Sequence, residues 1–217
     1  MLFRSRVAVL TDTKSDYSKG LAKFFKESFT ASGGQIVIER NFSGGDRDFK
    51  AQLTSIRVAK PQAVFAPCYY TEAGLIALQA RELGLTVPLF GGDGWESSKL
   101  VEIGGKGVEG CYFSTHYSPE NASAKSKEFV AQFKKRFQET PDAMAALGYD
   151  SAMILADAIQ RAGTTESKAL RSALAQVKAF DAVTGRISIN AKRDATKPAV
   201  ILRVENGAFK FVETISP

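Results

Sequence analysis

Short apolar runs alternate with helical periods from Val7 to about Thr115, and this alternation limits the folds available to the chain more than any other feature. Each run is apolar on both sides, as in parallel strands whose two faces are covered by helices. The segments between the runs repeat apolar residues at spacings of three and four, which is typical of amphipathic helices. The pattern therefore predicts an α/β fold with a doubly wound, parallel, five-stranded sheet in the flavodoxin-like order 2-1-3-4-5.

The boundaries of the predicted elements follow from the same runs. Strands are expected at 7–10, 36–38, 63–66, 88–91 and 111–115, and helices at about 18–32, 47–58, 72–83 and 96–103.

The rhythm changes after Thr115. Three helical patterns follow one another without a strand between them, and the tail predicts a strand at about 185–190 and then a hairpin whose turn is Asn206-Gly207. The wide apolar faces of these helices need another layer to cover. This chain offers them no second parallel sheet. Either they fold back on the first domain, whose two faces already have helices, or they dock on a sheet from elsewhere, which implies a partner surface.

Composition excludes several classes of protein. The chain has 217 residues and a net charge of +6, but its densest basic run, Lys134–Arg136, falls on the expected solvated face of a helix. Nucleic-acid binding is therefore not expected. No apolar stretch is long enough to cross a bilayer, and the start lacks the features of a signal peptide.

Cys68 and Cys111 are predicted to be buried, unpaired thiols, because a strand separates them in the expected order.

Aromatic and acidic side chains follow the predicted strands. Tyr69 and Tyr70 come after the third strand, Asp93 and Trp95 after the fourth, and Tyr17 after the first. Ligands of parallel α/β sheets bind outside the carboxyl ends of the strands, at the switch point between strands 1 and 3. A carboxylate and tyrosine faces suit an ammonium ion, with cation–π attraction of roughly 0.5–2 kcal/mol. Asp93 is also interpreted as an ordinary turn former, and Tyr70 and Trp95 as structural or rim residues.

Rival sites are weaker. The run Gly105–Gly110 matches a dinucleotide fingerprint, but it is predicted to leave a helix and enter a strand, the reverse of that motif. The hydroxyl-rich segment 11–18 resembles a flavodoxin phosphate loop, although hydroxyls at a helix start are also common caps. A receiver domain is disfavoured because Pro67-Cys68 stands where a phosphoacceptor aspartate is needed. No catalytic residues, metal ligands or cofactor are predicted.

The sequence resembles a known family over nearly its whole length. The segments that carry the resemblance are VAVLTDTKSDYSKGLAKFF, GGDRDFKAQL, AVFAPCYYTEAGLIALQARELGLTVPLFGGDGW, GVEGCYF and AALGYDSAMILADAI. They are similar to the leucine/isoleucine/valine-type substrate-binding proteins of ABC transporters, which are two-lobed type I periplasmic binding proteins. The resemblance implies that the family's N-terminal portion is missing here.

The resemblance implies a division of the chain and a set of ligand contacts. Residues 6–118 and 199–214 correspond to the second lobe, and residues 119–198 to helices and a strand that return to the first. Asp93 aligns with the acidic residue that holds the ligand's α-ammonium, and Tyr17 and Tyr69 with cleft aromatics. Met144 stands where many relatives have a further cleft aromatic. The groups that bind the α-carboxylate belong to the missing portion.

The resemblance also implies a periplasmic amino-acid receptor that delivers its solute to an ABC permease. With half a cleft, the chain is expected to bind an amino acid or a related amine weakly or not at all. The exposed helices of residues 124–178 predict a homodimer, by exchange of helices between copies. The alternative is a self-associating α/β module that keeps the fold without ligand binding. No enzymatic activity is expected.

Overall fold

The computed structural model describes residues 5–120 and 123–216, which form two compact units. The first, here called the sheet unit, comprises the described residues up to Ser114 together with Leu202–Lys210. The second, called the helical unit, comprises those from Thr115 to Ile201 and from Phe211 onward.

Strands and helices alternate through the sheet unit, as the sequence predicts. In chain order the elements are β1 (Arg6–Asp12), α1 (Asp16–Ala31), β2 (Gln35–Phe42), α2 (Lys50–Val58), β3 (Ala63–Phe65), α3 (Tyr70–Glu82), β4 (Leu89–Gly91), α4 (Ser98–Gly104) and β5 (Tyr112–Thr115). Short 3-10 turns cover Asp93–Trp95 and Gly105–Val108.

The central sheet has the predicted strand order. Strands β1 to β5 are parallel and neighbour one another in the order β2-β1-β3-β4-β5, which confirms the flavodoxin-like topology. β1 lies in the interior of the sheet and pairs with β2 through Val7 and Ile36, and with β3 through Val7 and Ala63. Its buried residues need apolar neighbours on both faces, which is why the run carries no polar alternation.

Helix α1 covers one face of this sheet. Val7, Val9 and Phe65 from the strands meet Ala22 of α1, and partly buried Phe25 packs against the same cluster. The helix begins where the sequence supplies a cap: the Ser15 hydroxyl accepts a hydrogen bond from the backbone N–H of Ser18. This cap fixes the position of the residues that directly follow β1.

A hairpin completes the seven-stranded sheet at the β5 edge, in the order β10-β9-β5. Its strands are β9 (Ala199–Glu205) and β10 (Ala208–Ile215). The turn residues Asn206 and Gly207 have φ angles of 53° and 71°. Asn and Gly tolerate this left-handed conformation, so the predicted turn is confirmed.

The helical unit contains α5 (Ala124–Phe137), α6 (Ala143–Ala162), α7 (Ser167–Ala175) and a three-stranded antiparallel sheet. The strands of that sheet are β6 (Phe180–Ala182), β7 (Gly185–Ile189) and β8 (Ala195–Thr196). The three helices and β7 confirm the sequence prediction. β6 and β8 were not predicted, because strands of three and two residues leave no apolar period to recognise.

Both cysteines are buried and unpaired, as expected. Burial raises the pKa of the Cys68 thiol well above its usual value, because a thiolate there would lose its hydration. Across residues 5–120 and 123–216, no helix has the length and apolar character needed to cross a bilayer. Within the same ranges, no cluster of side chains has the composition of a metal site.

Candidate functional site

Three loops of the sheet unit meet at the carboxyl ends of β1, β3 and β4. Tyr17 lies in the first turn of α1, just after the Ser15 cap. Tyr69 directly precedes α3, and Asp93 begins the 3-10 turn after β4. The structure thus brings together all three residues that the sequence singled out as ligand contacts.

A hydrogen-bond network joins the first and third loops. The Tyr17 hydroxyl donates to Asp93 Oδ1 over 2.8 Å and accepts the backbone N–H of Gly94 over 2.9 Å. The phenol therefore bonds the turn both at the side chain of Asp93 and at the backbone of the next residue.

The two tyrosine rings stack on one another. The ring centroids of Tyr17 and Tyr69 are 5.1 Å apart, and the planes are inclined by 26°. Tyr17 is half-buried, whereas Tyr69 is 49% exposed and offers much of its surface to solvent. The arrangement is an aromatic wall with one exposed ring, beside a partly buried carboxylate.

Burial and negative charge keep Tyr17 protonated. Burial is the largest cause that raises the pKa of its phenol, and the hydrogen bond to Asp93 and the charge of that carboxylate act in the same direction. The Gly94 N–H acts in the opposite direction but does not prevail. Tyr17 is consequently a neutral hydrogen-bond donor to Asp93 at every physiological pH.

The three rim candidates differ in their placement. Trp95 is completely buried, and its indole Nε1 donates to the carbonyl of Ala66 over 3.0 Å. The rim interpretation of Trp95 is therefore replaced by the structural one, because the indole is enclosed. Tyr70 is partly exposed at the start of α3. Met144 is 60% exposed at the start of α6, in the helical unit.

Sequence reasoning overlooked polar contacts among the loops that follow β1 and β2. Asp12, at the end of β1, is buried, and its Oδ1 accepts N–H groups from Lys14 and Gly44 over 2.9 and 2.8 Å. The neighbouring Gly45 N–H donates to Glu72 of α3 over 3.1 Å. The signal in the sequence was an acidic residue at a strand end and a Gly-Gly pair after another strand.

The rival sites are accounted for by local structure. In the hydroxyl-rich segment, Ser15 caps α1, Ser18 accepts the Asp12 N–H, and Thr13 donates to the carbonyl of Phe42. These contacts favour the capping interpretation over a phosphate loop. The glycine run 105–110 follows α4 and precedes β5, as predicted.

Comparison with known proteins gives a consistent result. The sequence model of a family described as periplasmic binding protein matches residues 3–208. A leucine-, isoleucine-, valine-, threonine- and alanine-binding protein of Pseudomonas aeruginosa is 27% identical over 188 residues, which are 87% of this chain and 50% of that protein. A Leu/Ile/Val-binding protein of Rhizobium johnstonii is 30% identical over 198 residues, 91% of this chain and 53% of that protein.

Solved structures extend the likeness to the fold. The crystal structure of a leucine-binding protein from Thermotoga maritima matches with a TM-score of 0.93 and 42% identity, over 98% of this chain and 61% of that one. A branched-chain amino acid transporter substrate-binding protein from Streptococcus pneumoniae, in complex with isoleucine, matches with a TM-score of 0.86 and 36% identity, over 98% and 60% of the two chains. The chain thus spans about half the length of the curated relatives it matches.

Proposed function

Because the chain belongs to the periplasmic binding protein family, we propose that it is the amino-acid-binding component of an ABC transporter, carrying half of the ligand cleft. The observation that supports this most is the cluster of Tyr17, Tyr69 and Asp93 at the carboxyl ends of β1, β3 and β4. A carboxylate beside an exposed aromatic ring has the chemistry of an ammonium site.

In this proposal Asp93 accepts hydrogen bonds from the ligand's ammonium group, and the exposed ring of Tyr69 contacts its aliphatic part. Branched-chain amino acids fit this pair, and two relatives are named for binding leucine, isoleucine and valine. Tyr70 lies at the rim. The groups for the α-carboxylate are assigned to the additional chain that the longer relatives contain.

We propose a division of the chain between the two lobes of such a receptor that lies near the boundary of the two units but does not coincide with it, since residues 115–118, 199–201 and 211–214 belong to the helical unit. We assign residues 6–118 and 199–214 to the second ligand-binding lobe, and residues 119–198 to elements that return to the first lobe. The supporting observation is that both units match relatives whose chains are considerably longer than this one. We further propose a periplasmic location and delivery of the solute to an ABC permease, as the family and the transporter relatives suggest.

Isothermal titration with leucine, isoleucine and valine tests the proposal, with 4-methylpentanoate, which is leucine without its amino group, as the matched control ligand. We expect binding weaker than micromolar for the amino acids, because half a cleft leaves their carboxylate unpaired. We expect no binding of the control, because it lacks the ammonium group that Asp93 is proposed to bind. Equal heats from leucine and 4-methylpentanoate would contradict the ammonium role of Asp93. Micromolar affinity would contradict the half-cleft proposal.

We also propose that the chain self-associates through residues 124–178. The supporting observation is the exposure of large apolar side chains on α5 and α6, where Phe137 is 52% and Met144 60% exposed. Faces of this kind are seldom left open to water in monomers. A homodimer that forms without any response to amino acids would favour the alternative, a derived α/β module that has lost transport function.

A further inference from the structure

The turn that carries Asp93 is built around one oxygen atom, the hydroxyl of Tyr17. That hydroxyl lies 2.8 Å from Asp93 Oδ1, to which it donates, and 2.9 Å from the Gly94 nitrogen, from which it accepts. A phenol has a single proton to donate. The proton of Tyr17 is therefore committed to the carboxylate and is not available to a ligand.

The backbone of the turn is shaped to admit this hydroxyl. A Cβ atom at position 92 would lie 2.6 Å from Tyr17 Oη, and one at position 94 would lie 3.1 Å from the same oxygen. A side chain at position 92 would therefore displace the hydroxyl, and one at position 94 would press on it, so glycine on both sides of Asp93 leaves room for its close approach. The two glycines that flank Asp93 thus make room for the phenol.

The ring of Tyr17 is held independently of the turn. It follows the Ser15 cap of α1, and its face stacks against Tyr69. The start of α1 and the contact with Tyr69 therefore hold the hydroxyl in place independently of its hydrogen bond to Asp93. A donor fixed in this way limits the rotation of the carboxylate that bonds to it.

We propose that Tyr17 is a positioning residue, which orients the carboxylate of Asp93 instead of bonding the ligand. The inference rests on the proposed function, in which Asp93 binds the ammonium group. Every amino acid carries that group, so loss of the Tyr17 hydroxyl should lower the affinity for every amino acid by the same factor. A change at Tyr69, whose ring is half exposed, should instead alter the affinity for each amino acid according to the size and shape of the ligand's side chain.

Two variants with the same chemical change test this: Tyr17→Phe and Tyr69→Phe, each of which deletes one hydroxyl from the stacked pair. The ligand-free readouts are the carboxyl carbon resonance of Asp93 and the amide hydrogen exchange of Gly94. In Tyr17→Phe we expect the resonance to move and Gly94 exchange to rise by about tenfold, because the donor and the acceptor are both lost. The Trp95 amide, which bonds to Gly92 O over 3.1 Å, serves as the internal reference for general loosening.

The second readout is binding, measured from chemical shifts with leucine, isoleucine and valine. Tyr17→Phe should weaken all three by one common factor of about five to ten, while Tyr69→Phe should leave the Asp93 resonance in place. An unmoved Asp93 resonance in Tyr17→Phe, or losses that differ strongly among the three ligands, would overturn the inference. If the unmodified chain shows no ligand shifts, the proposed function fails, and the Asp93 resonance still decides whether Tyr17 positions the carboxylate.

Discussion

At the scale of single residues, the contact between Tyr17 and Asp93 makes the stability of the sheet unit sensitive to base. The folded state raises the pKa of Tyr17 above its ordinary value of 10.0, first through burial and then through Asp93. Between the ordinary and the raised pKa, the folded state binds more protons than the unfolded state, so the free energy of unfolding falls as pH rises. The loss begins near pH 10 and continues as long as the folded phenol remains protonated.

We therefore expect Tyr17→Phe to lose less stability than the unmodified chain between pH 9 and 11. Urea unfolding at a series of pH values measures this, and Tyr69→Phe should keep the steeper slope because Tyr17 is intact. Identical slopes in Tyr17→Phe and the unmodified chain would contradict the role of burial and of Asp93.

Glycines in the sheet unit differ in what surrounds them. A Cβ at Gly94 would meet the Cys68 carbonyl at 3.0 Å and the Tyr69 ring at 3.1 Å, whereas one at Gly20, within α1, would meet nothing within 4 Å. Gly94→Ala should therefore destabilise the fold by about 1–3 kcal/mol through overpacking. Gly20→Ala should stabilise it by about 0.5–1 kcal/mol, since alanine favours a helix. Thermal unfolding of the two variants measures the contrast, and changes of the same sign would contradict it.

At the scale of elements, a buried carboxylate on α6 holds the turn between β6 and β7. Asp150 is 2% exposed and accepts the N–H groups of Val183 and Thr184 over 2.8 and 2.9 Å. Asp150→Ala leaves both donors buried without that acceptor and should cost about 2–4 kcal/mol. The control is Asp157→Ala on the same helix, which removes an exposed pair with Arg161 and should cost about 0.5 kcal/mol. Urea unfolding followed by circular dichroism separates the two, and equal costs would contradict this role of Asp150.

The sequence predicts helices and strands well where the two alternate along the chain. From β1 to β5 strands and helices alternate along the chain, so the apolar runs and the amphipathic periods are easily told apart. β6 and β8 lack such a pattern because they are short, and they exist through antiparallel pairing with β7. Local period alone does not reveal pairing of that kind.

The candidate site was predictable in its location but not in its contacts. Strand order places Tyr17, Tyr69 and Asp93 at one edge of the sheet. The hydrogen bond between Tyr17 and Asp93 joins residues 76 positions apart and depends on how α1 docks on the strands. For Trp95 the sequence left a structural and a rim interpretation open, and the buried indole, which donates to the carbonyl of Ala66, favours the structural one.

At the scale of the whole molecule, the exposed apolar side chains of α6, which lie on more than one side of the helix, have a consequence for assembly. Met153 and Leu155 are 43% and 44% exposed. We expect the chain to sediment as a dimer at tens of micromolar and the double variant Met153→Lys/Leu155→Lys to sediment as a monomer. Phe24→Lys is the control, since Phe24 is 66% exposed but belongs to α1 and should leave the dimer intact. A monomeric mass for the unmodified chain in analytical ultracentrifugation would contradict the proposed self-association.

We propose above that the sheet unit carries the ammonium half of an amino-acid site, centred on Asp93. The most direct test is a titration of the isotope-labelled chain with leucine, with chemical shifts followed residue by residue, for the unmodified chain and for Asp93→Asn. We expect saturable shifts at Tyr17, Tyr69 and the Gly92–Gly94 turn, with an affinity weaker than micromolar, and loss of those shifts in Asp93→Asn. Shifts that persist in Asp93→Asn, or that arise elsewhere and spare this turn, would contradict it.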